Sequence, residues 1–272
     1  MYRSIMAVSE GGPDAEPSFR LAAALATSFG GTVDAVHFTE DMPHDADIAN
    51  QSMPFLARLS RERLVARAEE SRRAFASVVA ALPGATFTGD KPMTRDQLVH
   101  LGRFAGLIVI GRPGADPENV APETVKAALY ESARPVVIAP PRPAPGTLSR
   151  VVIAWNGSAP AARAVGAAMP FLARAGLVTV LVTDSDPAAV GAPLLVRLLA
   201  RHGISATVEA AKLRALTGRG RGRALLAAAV ERKADLLVMG AYGHGELSNF
   251  LGLGGATAKV IASCPMPLLL AR

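Results

Sequence analysis

Short, continuously apolar runs punctuate the chain at Ile5–Val8, Val33–His37, Leu107–Gly111 and Val136–Ala139, then at Val151–Trp155, Val178–Thr183, Ala206–Glu209, Leu236–Gly240 and Leu268–Ala271. Most are rich in Val, Ile and Leu and lack polar alternation, the pattern of strands buried on both faces. Between them lie helix-period segments such as Pro160–Ala175, Leu194–His202 and Arg223–Lys233. Strand–helix alternation predicts an α/β fold with a parallel sheet and right-handed crossovers. A longer charged segment, Met53 to Leu82, sets Leu56, Leu59, Leu64, Ala68, Phe75 and Val79 on one side. It predicts an elongated second helix led in by Glu40–Gln51.

The stretch Pro140-Pro141-Arg142-Pro143-Ala144-Pro145-Gly146 continues neither a strand nor a helix, because proline lacks the backbone donor and fixes φ. It divides the chain nearly in half, and the halves repeat. "IMAVSEGG" opens the first and "VVIAWNGS" the second; "LIVIGRPG" sits late in the first and "LLVMGAYG" late in the second; "ARPVVIAP" and "PMPLLLAR" close them. The same motifs in the same order predict two tandem doubly wound domains, 1–141 and 148–272.

Composition fits this picture. Of 272 residues, 50% are hydrophobic and 19% charged, which suits a globular chain rather than a disordered one. The net charge of +6 leaves nucleic acid, a membrane surface and a small anion all open on charge alone. The arginines, however, are spread along helices (Arg61, Arg63, Arg67, Arg72, Arg73), as on a solvated face, and no aromatic–basic stacking platform accompanies them. Neither nucleic acid nor membrane is therefore expected as a partner. The single cysteine, Cys264, excludes an internal disulfide and reads as structural. No apolar run approaches the roughly 18 residues that span a bilayer, and no secretory pattern opens the sequence. A soluble, cytoplasmic protein is the expectation.

The candidate chemistry lies in "LLVMGAYGHGELSNFLGLGGATAKVIASCPMPLLLAR", Leu236 to Arg272. A strand ends at Gly240, a loop carries Gly243, Gly245, Gly252, Gly254 and Gly255, and a helix starts near Gly255-Ala256-Thr257. Glycines at a strand-to-helix turn allow close backbone approach to a ligand. The N–H groups and dipole of a helix start favour phosphate, and Thr257 adds a hydroxyl donor. The bland alternative is a flexible surface loop with a glycine-rich helix entry.

This segment resembles the nucleotide-binding signature of the universal stress protein family: a strand-ending Gly, two residues, Gly, about nine residues, then Gly followed by a small or hydroxylated residue. Gly240 and Gly243 match the first pair, and the closing glycine is Gly254 or Gly255, since residues 244–253 make the spacer one longer than usual. The family's other pocket wall, apolar-Asp-Gly-Ser at the end of the first strand, is matched by "AWNGS" (Ala154–Ser158) with Asn156 in place of Asp. The resemblance covers essentially the whole chain. It implies Rossmann-like domains of the adenine nucleotide alpha hydrolase type. It also implies ATP, with or without Mg²⁺, as ligand: Ala154, Trp155 and Asn156 would border adenine and ribose, Leu213 would close the adenine side, and Gly240, Gly243, Gly254, Gly255, Ala256 and Thr257 would hold ribose and phosphates. Trp155 reads equally well as a core aromatic at a strand end. Final-strand pairing, common in the family, implies that Val136–Ala139 and Leu268–Ala271 associate as in an intramolecular pseudo-dimer, which could itself form a homodimer.

The first half departs from the signature. Gly111 and Gly114 are retained, but aligned on the following helix Pro122-Glu123 stand where Gly254-Gly255 stand, and Asp116 and Glu118 add negative charge. Proline removes a donor and carboxylates repel phosphate. Ser9-Glu10 are set against Asn156-Gly157. The first domain is thus expected to be degenerate for ATP. Three other features remain: His244 as a loop residue or a phosphate contact; Arg214, Arg219, Arg221 and Arg223 as counter-charge or a solvated loop between strand and helix; and His37, His44, His100 and His202, which show no metal-ligand spacing. With no G-x-x-x-x-G-K-[ST] loop and no nucleophile–base pairing, a non-enzymatic, ATP-binding stress or regulatory protein is the leading reading. A slow ATP hydrolase and a nucleotide-free scaffold are the alternatives.

Overall fold

A computed structural model describes residues 2–12, 15–39, 54–113, 120–142, 148–213, 217–241 and 255–272. The described residues form ten strands and eight helices. In the first half these are β1 (Ser4–Ser9), α1 (Ala15–Phe29), β2 (Thr32–His37), α2 (Pro54–Val78), β3 (Thr86–Thr88), α3 (Arg95–Arg103), β4 (Leu107–Gly111), α4 (Pro122–Tyr130) and β5 (Val136–Ala139). In the second they are β6 (Arg150–Trp155), α5 (Ala159–Leu172), β7 (Leu177–Thr183), α6 (Ala192–Arg201), β8 (Ala206–Ala211), α7 (Gly218–Glu231), β9 (Leu236–Gly240), α8 (Ala256–Ser263) and β10 (Leu268–Ala271). Every expected apolar run is a strand. β3 is the addition: exposed Thr86 and Thr88 about a partly buried Phe87, beside β2, with no apolar run to betray them.

Contacts divide the chain after Ser132, so residues 2–132 and 133–272 are two compact units. In the first, β2 and β4 flank β1 in parallel, and β3 pairs with β2. In the second, β7 and β9 flank β6 in parallel, β8 pairs with β7, and β10 with β9. The shared order is the doubly wound arrangement that the sequence repeat implies. β5 belongs by its contacts to the second unit because it pairs antiparallel with β10, Leu268 opposite Ile138 and Leu270 opposite Val136. That is the terminal-strand pairing the resemblance implied. No helix among the described residues is long and apolar enough to cross a membrane.

The core of each unit is built on strands buried on both faces. Ile5, Val8, Leu107 and Ile110 are fully buried in the first, and Val180, Leu181, Leu236 and Leu268 in the second. At about 25 cal/mol per Å² of apolar area removed from water, such strands supply most of the folding drive.

Two expectations are corrected. The apolar side proposed for the long helix is only partly buried: Leu59 and Leu64 are 45% and 43% exposed, whereas Ser71, Ala74 and Val79 are buried. α2 meets the turn beyond β1 at Arg67, where Gly11 lies so close that a Cβ there would be 2.6 Å from the Arg67 carbonyl oxygen. The Leu56 side chain and the lead-in Glu40–Gln51 lie outside the described residues. Arg219 and Arg221 are helical, not in a loop, so the helix expected from Arg223 begins earlier. α7 starts at Gly218, capped by the Thr217 hydroxyl, which accepts from the Gly220 N–H at 3.0 Å. Glycine favours a loop locally, but Gly222 is where α7 packs on α8: a Cβ there would meet the Ala256 carbonyl oxygen at 2.6 Å. Tertiary packing has overridden local propensity.

Candidate functional site

In a doubly wound sheet, ligands bind beyond the carboxyl ends of the strands where the chain's winding reverses. In the second unit that point lies between β6 and β9, because the chain runs from β6 outward to β7 and β8 and later returns to β9 on the other side. Ala154 pairs with Met239, so Trp155 and Gly240 end neighbouring strands at this crevice.

The residues after β6 are held in a fixed turn. Gly157 has φ of 72°, the left-handed region that glycine enters without steric cost. The Asn156 Oδ1 accepts from the Ser158 N–H at 3.1 Å, and the Ser158 hydroxyl caps α5 by accepting from the Ala161 N–H at 3.3 Å. Asn156 itself is exposed. The Trp155 indole N–H donates to the Val190 carbonyl at 2.8 Å, which fastens the half-buried ring to the segment before α6. This satisfied, half-buried tryptophan lies between the core and pocket readings.

Gly240 ends β9 with no room for a side chain: a Cβ would lie 2.4 Å from the Ala161 nitrogen. Its immediate reason is therefore the close packing of α5 on β9. Leu213, just past β8, is partly exposed, and its N–H donates to the Asp184 carboxylate at 2.8 Å. That contact joins the ends of β8 and β7. α8 starts with Gly255 as N-cap and no side-chain cap, followed by the partly exposed Ala256 and Thr257. Gly255 has no side chain with which to cap the first N–H groups, the positive end of the helix. Gly243, Gly254, His244 and Arg214 lie outside the described residues.

The first unit has the corresponding crevice, between β1 and β4, and there the protein's own Glu10 carboxylate sits on the start of α4. β1 ends at Ser9 and β6 at Trp155, with the left-handed Gly11 and Gly157 two residues on. Glu10, not Ser9, is thus the counterpart of Asn156. Counted from the helix caps, Ala121 is the counterpart of Gly255, which corrects the alignment of Pro122-Glu123 with Gly254-Gly255. α4 is a residue longer than α8 and its exit to β5 differs, so counting back from the following prolines misplaced the register.

One Glu10 carboxylate oxygen accepts from the Ala121 N–H at 3.0 Å, and the other accepts from the Thr124 hydroxyl. Burial pushes the Glu10 carboxyl above its ordinary value and nearby Glu123 adds to the rise, against the Thr124 and Ala121 hydrogen bonds and the charge of Arg67. Behind it lies a buried polar chain. The Ser71 hydroxyl is 2.8 Å from the Ser9 hydroxyl and 2.9 Å from His37 Nδ1, and His37 Nε2 is 2.8 Å from the Thr39 hydroxyl. Burial, with a smaller effect from Arg67, lowers the His37 pKa to about 4. The sequence singled out Glu10 and His37 but not their partners: Ser71 and Thr124 come from distant helices, and no local signal pairs them. Among the described residues no group of His, Cys, Asp and Glu is placed to hold a metal ion.

Comparison with known proteins gives a consistent result. Residues 147–272 match the model of the universal stress protein family. A universal stress protein encoded in the 3′ region of a QAH/OAS sulfhydrylase in Thermus aquaticus is 35% identical over 134 residues, covering 45% of this chain and 97% of that protein. Among solved structures, a universal stress protein from Archaeoglobus fulgidus superposes with a TM-score of 0.64 at 16% identity, covering 99% of this chain and 96% of that one. A functionally unknown protein from Pseudomonas aeruginosa gives 0.56 at 15% identity, covering 99% and 92%. At such identities these two structures speak for the fold alone.

Proposed function

The chain belongs to the universal stress protein family, and from that premise we propose that it is a non-enzymatic stress or regulatory protein that binds ATP in its second half, residues 148–272. One contrast carries the reading. The first half's crevice holds its own carboxylate, Glu10, on the N-terminus of α4, while α8 starts at Gly255 without a side-chain cap and the counterpart of Glu10, Asn156, is turned onto its own loop.

The residues at hand fit a nucleotide. Ala154 and Trp155 would offer an apolar edge to adenine, with Leu213 opposite and Asn156 near the ribose. Gly255, Ala256 and Thr257 would offer backbone N–H groups and a hydroxyl to phosphates at the positive helix end, and Gly243 and Gly254 complete the signature. Asn156 brings no charge to help hold Mg²⁺, so the phosphates would rely on these donors rather than on an acidic ligand to the metal. No nucleophile–base pair faces the crevice among the described residues, which favours binding over turnover.

Acid extraction of the purified protein with mass spectrometry of the extract, followed by an ATP titration monitored by Trp155 fluorescence, tests the proposal. Adenine nucleotide in the extract, or saturable quenching by ATP, supports it. Neither, up to millimolar ATP, overturns it in favour of a nucleotide-free scaffold. Steady phosphate release proportional to protein and lost in Gly255→Glu would instead make the protein a slow ATP hydrolase.

A further inference from the structure

The crevice that Glu10 closes to phosphate opens on its outer side into a cavity of about 380 Å³ within the first unit. Ligand pockets run from roughly 300 to 1,000 Å³, and at ~30 Å³ per water-sized group this one has room for about a dozen heavy atoms. That is too small for a nucleoside triphosphate. Phe38, Leu98 and Ala127 give it an apolar floor, and Phe38 and Leu98 are themselves buried.

Its polar lining is specific. Arg67 reaches in from α2 with its Nε–H donated to the Glu10 carbonyl at 2.7 Å, which fixes the guanidinium at the cavity wall. Arg95 is the first residue of α3, whose start is fixed by a capping box between Thr94 and Gln97. It therefore presents its charge where the helix dipole is positive. Guanidinium groups match carboxylates in a two-point geometry that ammonium groups lack. The helix end that would take a phosphate is occupied by Glu10, and Glu123, also in the lining, adds negative charge against a polyanion.

We propose that the first half carries a second ligand site, in the cavity between α2, α3 and α4, for a small carboxylate with an apolar body, held at Arg95 and Arg67 over Phe38 and Leu98. The ligand is a plain organic acid or an apolar amino acid, whose ammonium would meet Glu123; both share the carboxylate and the apolar body.

The test is amide NMR on the full chain, titrated separately with 4-phenylbutyrate, phenylalanine, 4-phenylbutylamine and tripolyphosphate. Saturable shifts of the Phe38, Thr39 and Leu98 amides with 4-phenylbutyrate, phenylalanine or both are expected, and the responding acid identifies the source. The amine and tripolyphosphate should leave those amides in place. Arg95→Gln, at a partly exposed helix start, should weaken the carboxylate at least ten-fold while the signals of Val178 and Val180 in the second half stay unchanged. Three results would overturn the proposal: silence from both carboxylates, equal shifts from the amine or tripolyphosphate, or full affinity in a folded Arg95→Gln protein.

Discussion

The carboxylate of Glu10, at the end of β1, accepts the backbone N–H of Ala121, at the start of α4, at 3.0 Å. The two residues are far apart in sequence, yet the contact places a negative charge at a helix start whose counterpart in the second half, at Gly255, has no side-chain cap. A helix N-terminus attracts an anion because its first N–H groups have no partner within the helix. Here the anion is part of the chain.

Removing that side chain should therefore cost stability and not create a nucleotide site. Glu10→Ala leaves the Ala121 N–H and Thr124 hydroxyl without this acceptor, a loss of about 1–3 kcal/mol. Glu10→Gln keeps one acceptor oxygen and should cost less. Chemical denaturation of the two variants beside the parent chain gives the comparison; equal stability of Glu10→Ala and the parent would contradict the capping role.

Nucleotide binding should respond in the opposite half. Gly255→Glu puts a carboxylate at the cap of α8, much as Glu10 sits at the start of α4, and should lower ATP affinity at least 100-fold, or about 2.7 kcal/mol. Glu123→Gly should not create ATP binding in the first half, because Glu10 still occupies the helix end and Pro122 still lacks a donor. Calorimetric titration with ATP measures both, and undiminished affinity in Gly255→Glu would mean that the phosphates lie elsewhere.

Gly240 gives a structural counterpart. A Cβ at this position would sit 2.4 Å from the Ala161 nitrogen, which belongs to the backbone of α5 and has no side-chain freedom to yield. Gly240→Ala should destabilise the protein by about 3 kcal/mol, as overpacking of a closed contact does. A melting temperature unchanged by Gly240→Ala would show that α5 can move away.

Stability should also fall with acidity through His37. Its pKa is lowered to about 4 from an ordinary 6.5, so below 6.5 the unfolded chain binds a proton that the folded chain resists. Stability is then complete above 6.5 and declines as the pH falls towards 4, by on the order of 2 kcal/mol. Glu10 opposes this, because its raised pKa makes the folded state take up a proton above the ordinary carboxylate range. The difference between the parent and His37→Asn across pH 4–7 isolates the histidine, and parallel curves would refute its role.

Much of this architecture was legible in the sequence because it rests on local pattern. Continuous Val, Ile and Leu runs fix which segments are buried strands, and the alternation with helices restricts them to a parallel, doubly wound order. The repeat of "AVSEGG" in "IAWNGS", and of Pro135 in Pro267, marked the two halves. Tertiary structure decided what depends on distant partners. Local propensity makes Gly218–Gly222 a loop, but the stretch is helical and Gly222 packs against Ala256. Periodicity gives α2 an apolar side along its length, but only its later positions, such as Ser71 and Ala74, are buried, while Leu59 and Leu64 stay exposed. Glu10 reads in sequence as a lost signature residue; only the fold brings Ala121 and Thr124 to its carboxylate and turns the loss into an occupied anion position. Burial and helix capping are set by which surfaces meet, and a one-dimensional pattern carries the periodicity of each surface but not the identity of its partner.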